Sequence, residues 1–320
     1  VSLASTVPPS TAERTSSRSP GRINSGMKRR HLLTLLPAAS LAQTAAKSGI
    51  HLATNTYPWL TFAKRAGEKF QIHSDGLLAS IAATGLKGYE PIISGVGDFK
   101  GLGERLNKHG LEMRSLYVNS TLHEKAQIET SSQKVLAIAK EAKKLGTKII
   151  VTNPSPIKWG GTESKSDAQL KLQAQALDEL GAALKKEGIS LAYHNHAVEL
   201  QHGAREFHHM LPATSPENVR FCLDAHWVFR GCGNSQVAVF DALAHYADRI
   251  VELHLRQSTN GTWTESFSKS GDIDYQRLFD YLSAKNITPH YVLEQAVEAK
   301  SPKTQSSREA HREGRVNFHA

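Results

Sequence analysis

Side chains that can bind a metal ion or move a proton end several apolar runs in the second half of the chain. They are, in chain order, His194, His196, Asp224, His226, His254 and Glu294. A mixture of imidazole nitrogens and carboxylate oxygens suits Mn, Zn, Co or Fe as well as Mg. We therefore predict a divalent metal site, provided that the fold brings side chains from these runs together.

The elements that would position these residues alternate along the chain. Short apolar runs predict eight strands, at residues 49–54, 86–91, 111–118, 147–152, 189–195, 219–225, 249–255 and 290–295. Amphipathic patterns between them, such as residues 123–146 and 166–188, close on a lysine-rich turn and a glycine, which is typical of helix ends. Strands separated by helices pair in parallel, and eight such units predict a single-domain (β/α)8 barrel over residues 48–300. In that fold the active site lies at the carboxyl ends of the strands.

The formal net charge of +9 sits mainly at the two ends of the chain. Residues 1–47 hold seven Lys and Arg against one Glu, and residues 301–320 hold four basic against two acidic residues. The remaining balance is about +1 for the predicted barrel, which does not favour a nucleic-acid partner. We expect residues 301–320 to form a C-terminal helical tail.

The first 47 residues resemble a leader rather than part of a barrel. Residues 1–26 are rich in Ser, Thr, Pro and Arg and predict a disordered leader, and residues 27–47 have the charged start and short apolar stretch of an export signal. The tandem Arg29 and Arg30 resemble a twin-arginine (Tat) signal, with a basic flank before a Sec-type signal as the alternative. We expect a periplasmic protein with no stable membrane insertion after signal removal, or else a cytoplasmic one.

Four phrases resemble a known family in their order and spacing: YHNH (193–196), LDAHW (223–227), ELHLRQ (252–257) and VLEQ (292–295). They are similar to the xylose isomerase-like TIM barrels, which include sugar phosphate isomerases/epimerases and the apurinic-endonuclease family 2 group. The resemblance covers about residues 48–310 and is greatest to an exported Tat-signal branch. It implies a metal-dependent isomerase or epimerase that acts on a small-molecule carbohydrate.

The resemblance also implies that strands five to eight each supply one metal ligand. Asp224, His254 and Glu294 match the aspartate, histidine and glutamate of strands six, seven and eight. Many relatives carry a glutamate on strand five, where this chain has His194. We predict His194 as the fourth ligand, with Glu199 as the alternative.

This difference affects the expected chemistry. In the epimerases and isomerases of the family, two metal-bound carboxylates remove and return a proton next to a carbonyl group. With Glu294 as the one clear carboxylate base, His196 or His226 could complete the catalytic pair. The same side chains could eliminate water, so a lyase or dehydratase acting on a keto-sugar or keto-inositol is an alternative. A carbohydrate-binding barrel with a degraded site is a third.

Four further residues are candidates for substrate binding at strand ends. Asn195 follows His194, Arg256 could hold a substrate oxygen or pair with a carboxylate, and Trp227 could stack on a sugar or pack in the core. Glu90 could bind a sugar hydroxyl or be a solvated loop acid. The sequence leaves the metal, the substrate and the oligomeric state open.

Overall fold

Eight parallel strands form the centre of the computed structural model, which describes residues 49–320. We number them strands one to eight in chain order: Leu52–Asn55, Gly88–Glu90, Ser115–Tyr117, Ile149–Thr152, Ser190–His194, Val219–Asp224, Ile250–Leu255 and His290–Leu293. Their order around the sheet is two, one, eight, seven, six, five, four, three. Single parallel bridges, such as Ile92 to Tyr117, join the two edges of this sheet. The predicted (β/α)8 barrel is confirmed.

Helices connect successive strands on the outside of the barrel. They are α1 (Thr56–Ala66), α2 (Asp75–Ala82), α3 (Leu102–His109), α4 (Lys125–Lys144), α5 (Asp167–Lys186), α6 (Gln201–Met210), α7 (Ala225–Gly231), α8 (Gln236–Tyr246), α9 (Tyr275–Ala284) and α10 (Ser307–His319). A short hairpin, Ser258–Thr259 with Thr262–Trp263, follows strand seven. Three 3-10 turns complete the described elements, at Val96–Phe99, Val198–Leu200 and Ala247–Arg249.

Helix α5 illustrates how the sequence fixes a helix and its packing. It begins at a capping box in which the Ser166 side chain and the Gln169 side chain bond each other's backbone. It is followed by Gly188, whose φ of 73° is the left-handed conformation that glycine adopts without strain. Gly181 lies so close to the next loop that a Cβ atom would be 2.2 Å from the carbonyl oxygen of Asn218. A larger residue at position 181 would push α5 away from the barrel.

Alternate residues of each strand pack on opposite sides of the barrel wall. Leu116, Ile150, Leu191 and Phe221 belong to the large hydrophobic core between the strands and the helices. Their neighbours Tyr117, Val151, Ala192 and Cys222 form a separate, smaller cluster inside the barrel. Side chains that point into the barrel therefore face one another, and those at the carboxyl ends of the strands surround the barrel mouth.

The predicted leader (1–26) and export signal (27–47) lie outside the described residues and stay predictions. Within residues 49–320, none of the helices is long and apolar enough to cross a membrane. The predicted tail, residues 301–320, contains helix α10, which packs against α1 through the stacked rings of Trp59 and His311.

Candidate active site

Strands five to eight bring the four predicted ligands together at the carboxyl end of the barrel. We call His194, Asp224, His254 and Glu294 the ligand group. One nitrogen or oxygen atom from each residue lies within 4.8 Å of such an atom of every other, and all four residues are buried. Strand register explains the convergence. His254 pairs with Asp224 of strand six on one side and with Val292 of strand eight, two residues before Glu294, on the other.

Three polar side chains surround the carboxylate of Glu294. Its Oε2 accepts a hydrogen bond from Asn55 Nδ2 at 2.6 Å and lies 2.5 Å from His254 Nδ1. Its Oε1 accepts a hydrogen bond from Arg256 Nη2 at 2.5 Å. Burial alone would raise the pKa of Glu294, but the charges of His254 and Arg256 lower it below its ordinary value. Glu294 is therefore ionised at neutral pH.

The two histidines of the ligand group have opposite electrostatic environments. Burial, followed by the nearby His196 and His254, lowers the pKa of His194 well below 6.5, so His194 is a neutral donor of the kind that metals bind. Burial also disfavours charge on His254, but Cys222, Glu90 and Glu294 outweigh it and raise the pKa of that ring well above 6.5. For Asp224, burial raises the pKa to about 6 although Arg256 opposes the shift. A bound cation would favour the charged Asp224 and the neutral His254.

Two members of the ligand group, His194 and Glu294, line a cavity of about 680 Å³, large enough for a monosaccharide or a larger polyol. Glu294, His194 and His196 line it on the strand side. Aromatic rings line much of the rest, from Tyr57, Tyr117, Trp159 and Trp227. Within residues 49–320, Glu294 is the one carboxylate among the residues that line this cavity.

His196, predicted as a catalytic residue, also lies at the cavity. Its ring is 4.7 Å from the ring of His194 and 5.3 Å from that of Trp159, measured between centroids. Burial lowers the pKa of His196 to about 4, so the ring is neutral at pH 7. Its Nδ1 is buried and has no hydrogen-bond partner among residues 49–320. Trp227, predicted to bind substrate, lies on the cavity wall 5.7 Å from His196.

His226, the second predicted catalytic histidine, does not line the cavity. Because Asp224 is the N-cap of α7, the helix begins at once and turns His226 away from the mouth. Its Nε2 is 2.9 Å from Ser258 Oγ in the hairpin, and burial lowers its pKa to about 2. The structure therefore places His226 outside the cavity, and its catalytic role stays a prediction.

Asn195, predicted to bind substrate, instead joins strands five and six. Its Nδ2 donates to the carbonyl oxygen of Asp224 at 3.0 Å, and its Oδ1 accepts from the Asp224 backbone N–H at 3.1 Å. The residue is fully buried. Asn195 holds a ligand in place and does not line the cavity.

Glu90 and Arg256 are also buried away from the cavity, which corrects their predicted role in substrate binding. Glu90 lies inside the barrel, 3.2 Å from His254 Nε2, and not at the mouth. The guanidinium of Arg256 packs 4.3 Å from the ring of Trp263 and 4.8 Å from that of Trp227. Arg256 orients carboxylates of the ligand group, which is the alternative that the sequence left open.

Glu199, the alternative strand-five ligand, is held in the loop after that strand. Its Oε1 accepts from Asn153 Nδ2 at 2.9 Å and its Oε2 accepts from the His196 backbone N–H at 2.7 Å. It belongs to none of the possible metal-binding groups within residues 49–320. His194, which does belong to one, is the strand-five side chain that the structure brings to the other three.

The ligand group fits a divalent cation by two observations beyond the spacing of its atoms. His194 Nδ1 and Asp224 Oδ2 are buried and have no hydrogen-bond partner among residues 49–320. Buried polar atoms without partners are rare in folded proteins, and a bound ion would satisfy both. Two imidazoles with two carboxylates form a donor set that Mn, Zn, Co and Fe accept.

Sequence reasoning missed several residues of the site, among them Asn55, Trp159 and the cavity-lining Tyr57 and Tyr117. Asn55 ends strand one and caps α1, so the same rule of strand ends would have found it. Trp159 lies in the loop after strand four, and 53% of its surface is exposed. The sequence around it has no periodic pattern that would have indicated a role.

Fold and ligand group together define a (β/α)8 barrel whose polar site is built at the carboxyl ends of its strands. Comparison with known families gives the same result: the chain belongs to the xylose isomerase-like TIM barrel family, whose model matches residues 78–314.

The chain is also similar to individual characterised proteins and solved structures. It is 24% identical over 246 residues to an inosose dehydratase of Clostridium perfringens, with 68% of this chain aligned to 80% of that one. A sugar phosphate isomerase/epimerase structure from Parabacteroides distasonis superposes with a TM-score of 0.66 at 18% identity, covering 89% of this chain and 98% of the other. A 3-keto-D-glucoside 4-epimerase from E. coli gives 0.59 at 16% identity, covering 84% and 100%.

Proposed function

We propose that the protein is a metal-dependent isomerase or epimerase of a sugar or keto-sugar derivative. The observation that carries the proposal is the ligand group at the wall of a cavity of about 680 Å³, with Glu294 and His196 both facing that cavity. The common chemical step is removal of a proton from the carbon next to a carbonyl group. The names of the related structures, an epimerase and an isomerase/epimerase, support the same class.

His194, Asp224, His254 and Glu294 would hold the divalent ion, which when bound would polarise the substrate carbonyl group. Glu294 is ionised and is the base that accepts the proton from carbon. Asn55 and Arg256 bond its two oxygens, and this fixes the carboxylate in one orientation.

The neutral ring of His196 can act as a second catalytic group in addition to Glu294. Neutral imidazole can accept a hydrogen bond from a substrate hydroxyl or donate one to it. The rings of Trp159, Trp227 and Tyr57 cover the apolar faces of a bound sugar and exclude water from it. In an isomerase the proton then returns from Glu294 to the neighbouring carbon. In an epimerase His196 would first take up a proton from solvent and deliver it to the opposite face of the carbon, and Glu294 would release its own proton to solvent.

A lyase acting on a keto-sugar or keto-inositol is the second candidate, and one observation favours it. The cavity wall has a single carboxylate, Glu294, rather than the two that a symmetric epimerase uses. One base with one neutral acid suffices for elimination of water. The similarity to an inosose dehydratase supports the same class.

Proton NMR in deuterated water with Mn2+ and a panel of keto-sugars and keto-inositols separates these functions. An isomerase or epimerase exchanges the proton next to the carbonyl for deuterium and conserves the mass of the sugar skeleton. A lyase gives an unsaturated product and releases water. Glu294→Gln should abolish either reaction, and a panel that shows neither exchange nor elimination would count against both.

A further inference from the structure

Two carboxyl groups lie inside the barrel where branched apolar side chains are usual. Glu90 on strand two and Glu252 on strand seven are both 0% exposed. Burial of carboxylates is costly unless partners compensate for it. Neither residue lines the cavity, so the proposed reaction does not account for them.

Both carboxyl groups reach the same nitrogen atom. His254 Nε2 is 3.2 Å from Glu90 Oε1 and 3.2 Å from Glu252 Oε1. The hydroxyl of Ser115 donates to the other oxygen of Glu90 at 2.9 Å and fixes that side chain. The second ring nitrogen, His254 Nδ1, faces Glu294 within the ligand group.

This arrangement determines which nitrogen of His254 can bind a metal ion. An ionised carboxylate only accepts hydrogen bonds, and the Ser115 hydroxyl already donates to Glu90, so the ring nitrogen beside Glu90 Oε1 must carry a hydrogen, for which Glu252 Oε1 is a second acceptor. A carboxylate oxygen of Glu294 faces Nδ1, so the metal-free ring is doubly protonated, and the proton on Nδ1 is the one that a cation in the ligand group would displace. Metal-binding histidines are commonly oriented in this way by a carboxylate on the far side of the ring.

We infer that Glu90 and Glu252 are positioning residues that hold Nε2–H of His254 inside the barrel and present Nδ1 to a divalent ion. The inference rests on the proposed function in one respect, which is that the ligand bound by His254 is a metal ion. The orientation of the ring is a property of the protein by itself and can be measured without one.

The first test measures Mn2+ affinity by isothermal titration calorimetry for Glu90→Gln and Glu252→Gln. Glutamine has nearly the same shape, but its amide can donate as well as accept and so no longer dictates which ring nitrogen carries the hydrogen. Each variant should bind Mn2+ about 10- to 100-fold more weakly than the wild type. Affinities within twofold of the wild type would overturn the inference. It would also be overturned if the wild type bound two equivalents of Mn2+ and these variants bound only one.

Glu265→Gln is the matched control. Glu265 is a buried carboxylate outside the ligand group, bonded by Arg65 and Thr304. Its loss should lower the melting temperature without changing the Mn2+ affinity. A purely structural role for Glu90 and Glu252 would give the same pattern in their variants, which would refute a positioning role.

The second test is nitrogen-15 NMR of histidine-labelled protein, with the His254 signals assigned from a His254→Gln spectrum. Nε2 should carry a proton in the metal-free protein and keep it when Zn2+ is added, while the Nδ1 signal shifts on Zn2+ binding. In the double variant of Glu90→Gln and Glu252→Gln, proton occupancy should fall at Nε2 relative to Nδ1. A wild-type Nε2 without a proton, or a double variant with an unchanged spectrum, would overturn the inference. Wild-type protein that binds no ion would refute the proposed function, and the proton on Nε2 would then decide the positioning role alone.

Discussion

Asn195→Ala tests whether this residue joins two strands or binds substrate. Its amide makes two hydrogen bonds with the backbone of Asp224, at 3.0 and 3.1 Å, and both are buried. Water cannot replace them, so the variant leaves a buried N–H and a buried carbonyl without partners, at about 1 to 3 kcal/mol each. We expect the free energy of unfolding to fall by about 3 kcal/mol in total, measured by urea denaturation of the metal-free protein.

The matched control is Asn119→Ala, which removes an exposed asparagine from the cavity wall. Its unfolding free energy should stay within about 0.5 kcal/mol of the wild type. If Asn195→Ala is as stable as this control and only raises KM, Asn195 binds substrate and its structural role is wrong.

Three further predictions address the cavity, the catalytic histidine and the stability of the fold. Trp159→Ala should raise KM for the substrate about tenfold with little change in unfolding free energy, because the exposed ring covers the cavity and supports no core; an unchanged KM would remove it from the site. His196→Gln should slow proton exchange or elimination about 100-fold, whereas His226→Gln should slow it less than about threefold, as read by NMR; equal losses would contradict the placement of His226. Burial lowers the pKa of His311 from 6.5 to about 4, so the unfolded chain binds more protons between these pH values. Stability is therefore full above about pH 6.5 and falls as pH drops, by about 3 kcal/mol at pH 4, and His311→Phe should abolish that part of the loss in urea titrations across this range.

The strands could be predicted from the sequence because each is a short apolar run between helical patterns: seven of the eight runs contain an observed strand, and the first run, 49–54, overlaps strand one, which ends at Asn55. The ligand group could be predicted for a related reason. Parallel strands of a barrel end at one mouth, so polar residues at those ends must meet.

The direction of individual side chains was harder to predict. His226 is two residues from a ligand, but α7 begins directly after strand six and rotates it towards the hairpin. Glu90 lies inside the barrel because the stagger between neighbouring strands sets its depth, and that stagger is a property of the assembled sheet. Glu252, two residues before His254 on the same strand, could have been recognised from the alternation of a strand alone.

The central claim is that strands five to eight hold one divalent ion, and a crystal structure of the protein grown with Mn2+ tests it most directly. We predict one anomalous-scattering peak bonded to His194, Asp224, His254 Nδ1 and Glu294, at about 2.0 to 2.3 Å from each ligand atom. A peak bonded to Glu199 in place of His194 would make the strand-five assignment wrong. A map with no peak at the ligand group, from crystals grown in saturating Mn2+, would contradict the metal site itself.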